Sequence, residues 1–201
     1  MECFFYFVYF NNYSDENNNL RYRISFLKCP NIYLKDNYKK LNIFIKTKQN
    51  IPKRITKLTN ITPNILIKKG YSFKESMNLI DQFVDKKSIL LANGEDIKIL
   101  KLNMTFNNFK RANSRFINYV NLRKILNKID KKKSSGKSDL EAKKYHTANL
   151  NKMFKFKINF HLHNASNDCI VIYRSLRKLI QIYGKKEFEN MISQNKELVK
   201  F

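Results

Sequence analysis

What the sequence has little of narrows the field first. Glycine (4) and proline (3) are scarce among the 201 residues, alanine is sparse, and Lys, Asn, Ile, Phe and Tyr are used heavily instead. That is the bias an AT-rich coding sequence imposes, as organelle genomes often do. Cysteine is limited to Cys3, Cys29 and Cys169 with no paired spacing, which excludes a disulfide framework and points to reduced thiols. Long apolar runs are missing. Residues 4–10 are aromatic and aliphatic throughout, but the run is less than half of what a helix needs to cross a bilayer. The first 20 residues hold no Lys or Arg and carry Glu2, Asp15 and Glu16, the opposite of an Arg-rich transit peptide or a basic secretory start. A mitochondrial protein of this kind is expected to be made inside the organelle.

Acidic residues are the other deficit. Sixteen Asp and Glu face 40 Lys and Arg, leaving a net charge of +24. So large an excess repels itself in a compact chain unless a polyanion neutralises it, and nucleic acid is the natural counter-ion. A basic membrane-surface protein would gather its charge on one face or in one cluster. Here Lys and Arg recur in nearly every segment after residue 20, which suits a protein that meets phosphate on several faces. The hydrophobic fraction of 43%, with 16 Phe and 11 Tyr, is enough to build a core.

Residues 61–106 carry the clearest local signals. Ser72, with Glu75 three residues on, forms a capping box, and Phe73, Met77, Ile80 and Val84 follow as an apolar stripe. A helix over 73–86 is expected. A short apolar run at 88–92, Asn93-Gly94 and the alternating stretch 96–102 then read as a β-hairpin with a type I′ turn. This order resembles the alpha-L motif of the small-subunit ribosomal protein four family, an RNA-binding module also found in pseudouridine synthases. Leu66, Gly70-Tyr71, Ser72, Glu75, Leu79-Ile80 and Ala92-Asn93-Gly94 stand in its places. The family's RNA-facing arginines fall on Phe73 and Met77, so the resemblance implies that Lys68, Lys69 and Lys74 make the contacts. The same residues also fit a capped helix and hairpin with no family meaning.

The remaining chain reads as basic flank. Strands are expected at 4–10, 20–28 and 41–46, and a basic connector at 49–57. A second helix capped by Asn113 or Ser114 carries Tyr119, Leu122, Leu126 and Ile129 inward, with Arg115, Arg123, Lys124 and Lys128 off the stripe. Residues 130–144 lose apolar periodicity and read as a Lys-rich linker. Alternation of Phe154, Phe156, Ile158, Phe160 and Leu162 with lysines and histidines predicts a strand over 153–163, with a partner at 168–172. A helix over 173–183 stopping at Gly184, and a last helix over 185–199, complete the chain. The fold class this predicts is α+β, amphipathic helices packed on short antiparallel strands with basic extensions. Its organisation is an aromatic extension and strand region (1–60), the helix and hairpin module (61–106), and a basic region of helix, linker, strand and helices (107–201).

No catalytic grouping stands out. His161, His163 and Cys169 lack a fourth zinc ligand, and the alternation with lysine already explains the histidines. Ser135-Gly136-Lys137-Ser138 ends like a phosphate loop without its first glycine. The sequence therefore leads us to expect no enzyme, no cofactor and no metal. It points to a ribosomal protein, of a mitochondrial small subunit, that stabilises ribosomal RNA beside neighbouring ribosomal proteins and has no membrane span. A peripheral basic subunit of an organellar membrane complex is the alternative. The expected RNA-binding residues are Lys68, Lys69, Lys74, Lys110, Arg111, Arg115, Arg123, Lys124, Lys131, Lys132, Lys133, Lys137, Lys155, Lys157, Arg174, Arg177 and Lys178.

Overall fold

A computed structural model describes residues 5–10, 23–30, 32–33, 38–47, 51–85, 88–110, 116–133 and 145–200. Its elements in order are β1 (Phe5–Phe10), β2 (Arg23–Cys29), β3 (Lys39–Ile45), α1 (Lys53–Thr59), α2 (Pro63–Lys69), β4 (Gly70–Tyr71), α3 (Phe73–Phe83), β5 (Ile89–Ala92), α4 (Asp96–Phe106), β6 (Phe116–Asn121), α5 (Leu122–Lys133), α6 (Thr147–Met153), α7 (Ala165–Gln194) and β7 (Lys196–Lys200). Helices and strands both occur, as expected. The strands form one mixed sheet in the order β4-β3-β2-β1-β5-β6-β7. The centre is not the short antiparallel arrangement that the sequence predicts, because β1, β5 and β6 run parallel.

Period-two alternation along the strands divides the core between two faces. Leu27, Cys29, Ile89, Leu91 and Val120 face α5, α6 and α7 in one cluster. Ile24, Phe26, Leu90, Ala92, Ile117 and Tyr119 face α3 and α4 in the other. Strands covered on both faces need apolar residues at successive positions, which is why β5 reads Ile-Leu-Leu-Ala. The expected capping box forms, though α3 ends at Phe83, short of the expected residue 86. The Ser72 Oγ accepts from the Glu75 amide at 3.2 Å, and the Glu75 carboxylate accepts from the Ser72 amide at 2.7 Å.

Three expectations fail for identifiable reasons. Neither Asn93 nor Gly94 has positive φ, so no type I′ turn forms, and residues 96–106 are helical. Asp96 lies in the first turn of α4, and Ile97 and Leu100, three residues apart, bury one side of it. The expected second helix begins only at Leu122. Ahead of it residues 116–121 pair with β5 and β7, putting Tyr119 and Val120 on opposite faces.

The strand expected at 153–163 has no partner, because 168–172 lies inside α7. Positive φ at Lys155 and His163 also interrupts any regular strand. The alternation itself survives in an irregular segment. Lys155 and Lys157 are exposed, while Phe156, Ile158, Phe160 and Leu162 lean on the core. The connector expected at 49–57 contains α1, and α7 continues past its kink at Gly184 to Gln194 before β7. Residues 134–144 of the Lys-rich linker, and Asn113 and Ser114, lie outside the described residues.

Candidate active site

The parallel strands β1 and β5 and the start of antiparallel β2 meet at one end of the sheet, where open α/β sheets bind their ligands. Here the chain leaves β5 through Asn93 and Gly94, and three side chains of the β6–α5 junction hold that turn. Tyr119 Oη donates to the Gly94 carbonyl at 2.6 Å, Asn121 Nδ2 to the same oxygen at 2.9 Å, and Arg123 Nη2 to the Asn93 carbonyl at 2.9 Å. Asn93 Nδ2 in turn donates to the Tyr145 carbonyl at 2.7 Å and to Thr147 Oγ1 at 3.1 Å. The turn is tied on every side. It sets the buried Asp96 as the first residue of α4. Burial and the Asp96 charge push the Tyr119 hydroxyl well above its usual range, so it stays a donor.

The second carboxylate comes from α7. Asn164 caps this helix by accepting from the Ser166 amide at 3.2 Å. Asp168 follows in the first turn, and its Oδ1 accepts from the His163 amide at 3.3 Å. Asp168 is only 2% exposed, and its Oδ2 is buried with no hydrogen-bond partner. An orphaned buried carboxylate oxygen is costly and calls for a proton or a cation. Burial, with a smaller push from the Asp96 charge, raises its pKa to about 7 against the His163 amide and the Arg23 charge. Asp168 therefore senses the Asp96 charge.

Arg23 and His163 complete the site. Arg23 is buried on β2, its Cζ 4.9 Å from the Phe44 ring centre, and Arg23 Nη2 lies 3.5 Å from Asn42 Oδ1. Burial lowers its pKa, while Cys169 and Asp168 support its charge. Cys169 Sγ meets the Ser25 carbonyl at 3.4 Å, anchoring the start of α7 to β2. His163 is half-buried, and burial followed by the His161 charge lowers its pKa, leaving a neutral imidazole at pH 7.

Two buried carboxylates are the groups here that could take part in holding a divalent cation. Asp96 and Asp168 offer carboxylate oxygens, one of them orphaned, and Mg²⁺ is commonly held by one or two carboxylates together with substrate phosphate. Among the described residues no group of three or more His, Cys, Asp or Glu is placed to hold a metal ion. Glu95, adjacent in sequence, is exposed and lies 3.5 Å from Asn121 Nδ2.

The basic residues singled out in the sequence scatter around this centre. Lys68 and Lys69 end α2, Lys74 lies in the first turn of α3 and Lys110 follows α4, all exposed. Arg123 is no free surface cation, since it holds the Asn93 turn. Lys124 pairs with Glu197 at 2.6 Å. Lys155 and Lys157 are exposed on the segment leading to His163. Arg174 donates to the Lys157 carbonyl at 3.3 Å, Arg177 to the Tyr173 hydroxyl at 3.2 Å, and Lys178 is half-buried. Arg111, Arg115 and Lys137, and the side chains of Lys131, Lys132 and Lys133, lie outside the described residues.

Sequence reasoning missed Asp96 and Asp168 and set His163 aside. Each carried a helix-start signal, an acid in the first turn behind a turn or cap residue, which the strand readings hid.

A mixed sheet covered by helices on both faces, with Asp96 and Asp168 buried in the first turns of two of those helices, makes an α+β protein with an acidic site. A family model described as Exonuclease matches residues 32–176, and the chain belongs to that family. No curated protein matches it. Among solved structures it is similar to the nuclease domain of 3'hExo, described as a DEDDh family member bound to rAMP. Identity is 13%, coverage is 90% of this chain and 92% of that one, and the TM-score is 0.72. It is also similar to a 3'-exonuclease that recognises the 3' end of a histone mRNA stem-loop, at 12% identity, covering 98% and 90%, with a TM-score of 0.71. The E. coli ExoI–ssDNA complex, in its zinc-bound form, is similar at 11% identity, covering 92% of this chain and 42% of that chain, with a TM-score of 0.68.

These findings overturn the ribosomal reading. The resemblance to the ribosomal protein four family, the role in a small ribosomal subunit and in translation, and the expectation of a non-enzyme all give way to membership in a nuclease family. The membrane-complex alternative finds no support either, and among the described residues no helix is long and apolar enough to cross a membrane. What suggested an alpha-L motif was real local structure, the capped α3 and β5, set in a different topology.

Proposed function

We propose that the chain is a cation-dependent exonuclease that removes nucleotides from the 3' end of nucleic acid. The observation that carries this reading is Asp168, a buried carboxylate in the first turn of α7 with an orphaned oxygen and within reach of the Asp96 charge. Family membership and the nucleic-acid-bound relatives support it, as does the +24 charge, which favours a polyanionic substrate.

The chemistry is phosphodiester hydrolysis. A water oxygen bonds to phosphorus, the bond from phosphorus to the 3' oxygen breaks, and that oxygen leaves with a proton from solvent. Asp96 and Asp168 would hold a divalent cation, which when bound neutralises phosphate charge and lowers the pKa of water. His163, neutral at pH 7 and with its backbone amide donating to Asp168, accepts the proton of the attacking water. Arg23 keeps a fixed positive charge near Asp168. Exposed Lys155 and Lys157, on the segment leading to His163, attract the phosphate backbone toward the site.

The test is release of mononucleotide from single-stranded RNA and DNA, followed by mass spectrometry with Mg²⁺ or Mn²⁺ present. Activity that Asp168→Asn or a chelator removes is expected. Release unchanged in Asp168→Asn, or no release from either polymer, would overturn the reading.

A further inference from the structure

Resting on the exonuclease reading, we infer that α1, α2 and the β4 edge form a second surface, which holds single-stranded nucleic acid upstream of the 3' end while that end occupies the site. The charge here is one-sided. From residue 37 to residue 74 the sequence holds no Asp or Glu. Lys46 just past β3, Lys53, Arg54 and Lys57 on α1, and Lys68 and Lys69 on α2 are all exposed. The salt bridges seen among the described residues lie elsewhere, at Lys28–Asp85 and Lys124–Glu197, and none of these six cations joins them. Glu75, the next acid along the chain, is engaged by the Ser72 amide as the cap of α3. A patch of like charge with no internal acid repels itself until a polyanion covers it.

Two connections tie this basic unit to the site. His161, two residues before His163, has its Nε2 3.2 Å from the Leu58 carbonyl oxygen near the end of α1. The strand register supplies the other, running from Arg23 to Phe44 and from Phe44 to Gly70, with Arg23 Cζ 4.9 Å from the Phe44 ring centre. Neighbouring strands lie about 4.8 Å apart, which puts Gly70 roughly 10 Å from Arg23. A polynucleotide covers that distance in about three residues, at roughly 3.4 Å each. The unit also has its own core, in which Ile55, Ile61 and Leu66 pack with Phe44. The Lys46 amide donates to the Tyr71 carbonyl at 2.8 Å, which fixes Lys46 beside the β4 edge.

Lysines for phosphate and an aromatic face for a base are what a single strand needs, and the exposed Tyr71 follows directly on Lys68 and Lys69. An anionic membrane would meet the same lysines, but the ties to His163 and Arg23 favour the polymer whose end the site takes.

The experiment measures binding of 5'-labelled oligouridylates of about 4 and about 20 nucleotides to the full chain by fluorescence anisotropy, with a chelator present so that no cleavage intervenes. The longer strand is expected to bind about tenfold or more tightly. Lys57→Gln, Lys68→Gln and Lys69→Gln together should remove most of that advantage and lower the log–log salt slope by about 2, at about 0.7 for each lost phosphate contact. Lys185→Gln, Lys186→Gln and Lys196→Gln, an equal charge loss at exposed positions of α7 and β7, should keep it. Circular dichroism confirms that both triple variants are folded. Equal weakening by the two sets, or no length advantage in the native chain, would overturn the surface and leave the exonuclease reading standing. Binding to phosphatidylserine vesicles that the first set abolishes, with oligonucleotide binding unchanged, would overturn it in favour of a membrane. No binding of either strand would also overturn it, while mononucleotide release with Mg²⁺ separately decides the exonuclease reading.

Discussion

At the residue scale, Asp168 carries the proposed chemistry and also bears on stability. Its folded pKa of about 7 lies above the 3.8 of a free Asp side chain, so the folded state holds this proton more tightly than the unfolded chain does. The stability from that proton is fully present below about pH 4 and lost as pH rises through about 7. For this buried side chain the loss is on the order of 4 kcal/mol. In the absence of divalent cation, Asp168→Asn should lie close to the native melting temperature at pH 3.5 and exceed it by several degrees at pH 8. Thermal melts at both values check this, and an equal difference at the two would contradict it. None of it was legible from the sequence. A carboxylate six residues before Arg174 looks like any first-turn acid until the sheet buries it and the Asp96 charge comes near.

Elements show where periodicity informs and where it misleads. The capping box of α3 could be read directly because its hydrogen bonds span three residues and need nothing distant. The strands over 5–10, 23–29 and 39–45 were also visible from β-prone runs. The pairing was not. Asn93-Gly94 invited a hairpin, but β5 is buried between two parallel neighbours, and the chain must leave its end by a helix. Residues 153–163 kept their alternation without becoming a strand, since facing a core on one side produces period two in any extended segment. Gly184 was rightly read as a helix break, with the helix resuming beyond it. Its φ of 80° and ψ of 164° belong to glycine, and a Cβ there would meet nothing within 4 Å. Gly184→Ala should therefore cost about 1 to 3 kcal/mol through backbone strain alone. Denaturant melts test this, and an unchanged midpoint would contradict the kink.

The whole molecule joins a charge the sequence announced to a topology it concealed. A net +24 pointed to a polyanion, and a nuclease family meets that expectation as well as a ribosomal one would. Charge says only that phosphate is near. In the proposed reaction, what separates cutting from binding is a pair of buried acids at the starts of α4 and α7, 72 positions apart in the chain. Long-range parallel pairing of β1 with β5 underlies that arrangement, and local patterns cannot encode it. The most direct measurement follows a 5'-labelled single-stranded oligonucleotide through time with Mg²⁺. The account expects a ladder shortening one nucleotide at a time from the 3' end, absent in Asp168→Asn. Uncut oligonucleotide retained by a folded, RNA-binding chain, or a ladder indifferent to Asp168, would contradict it.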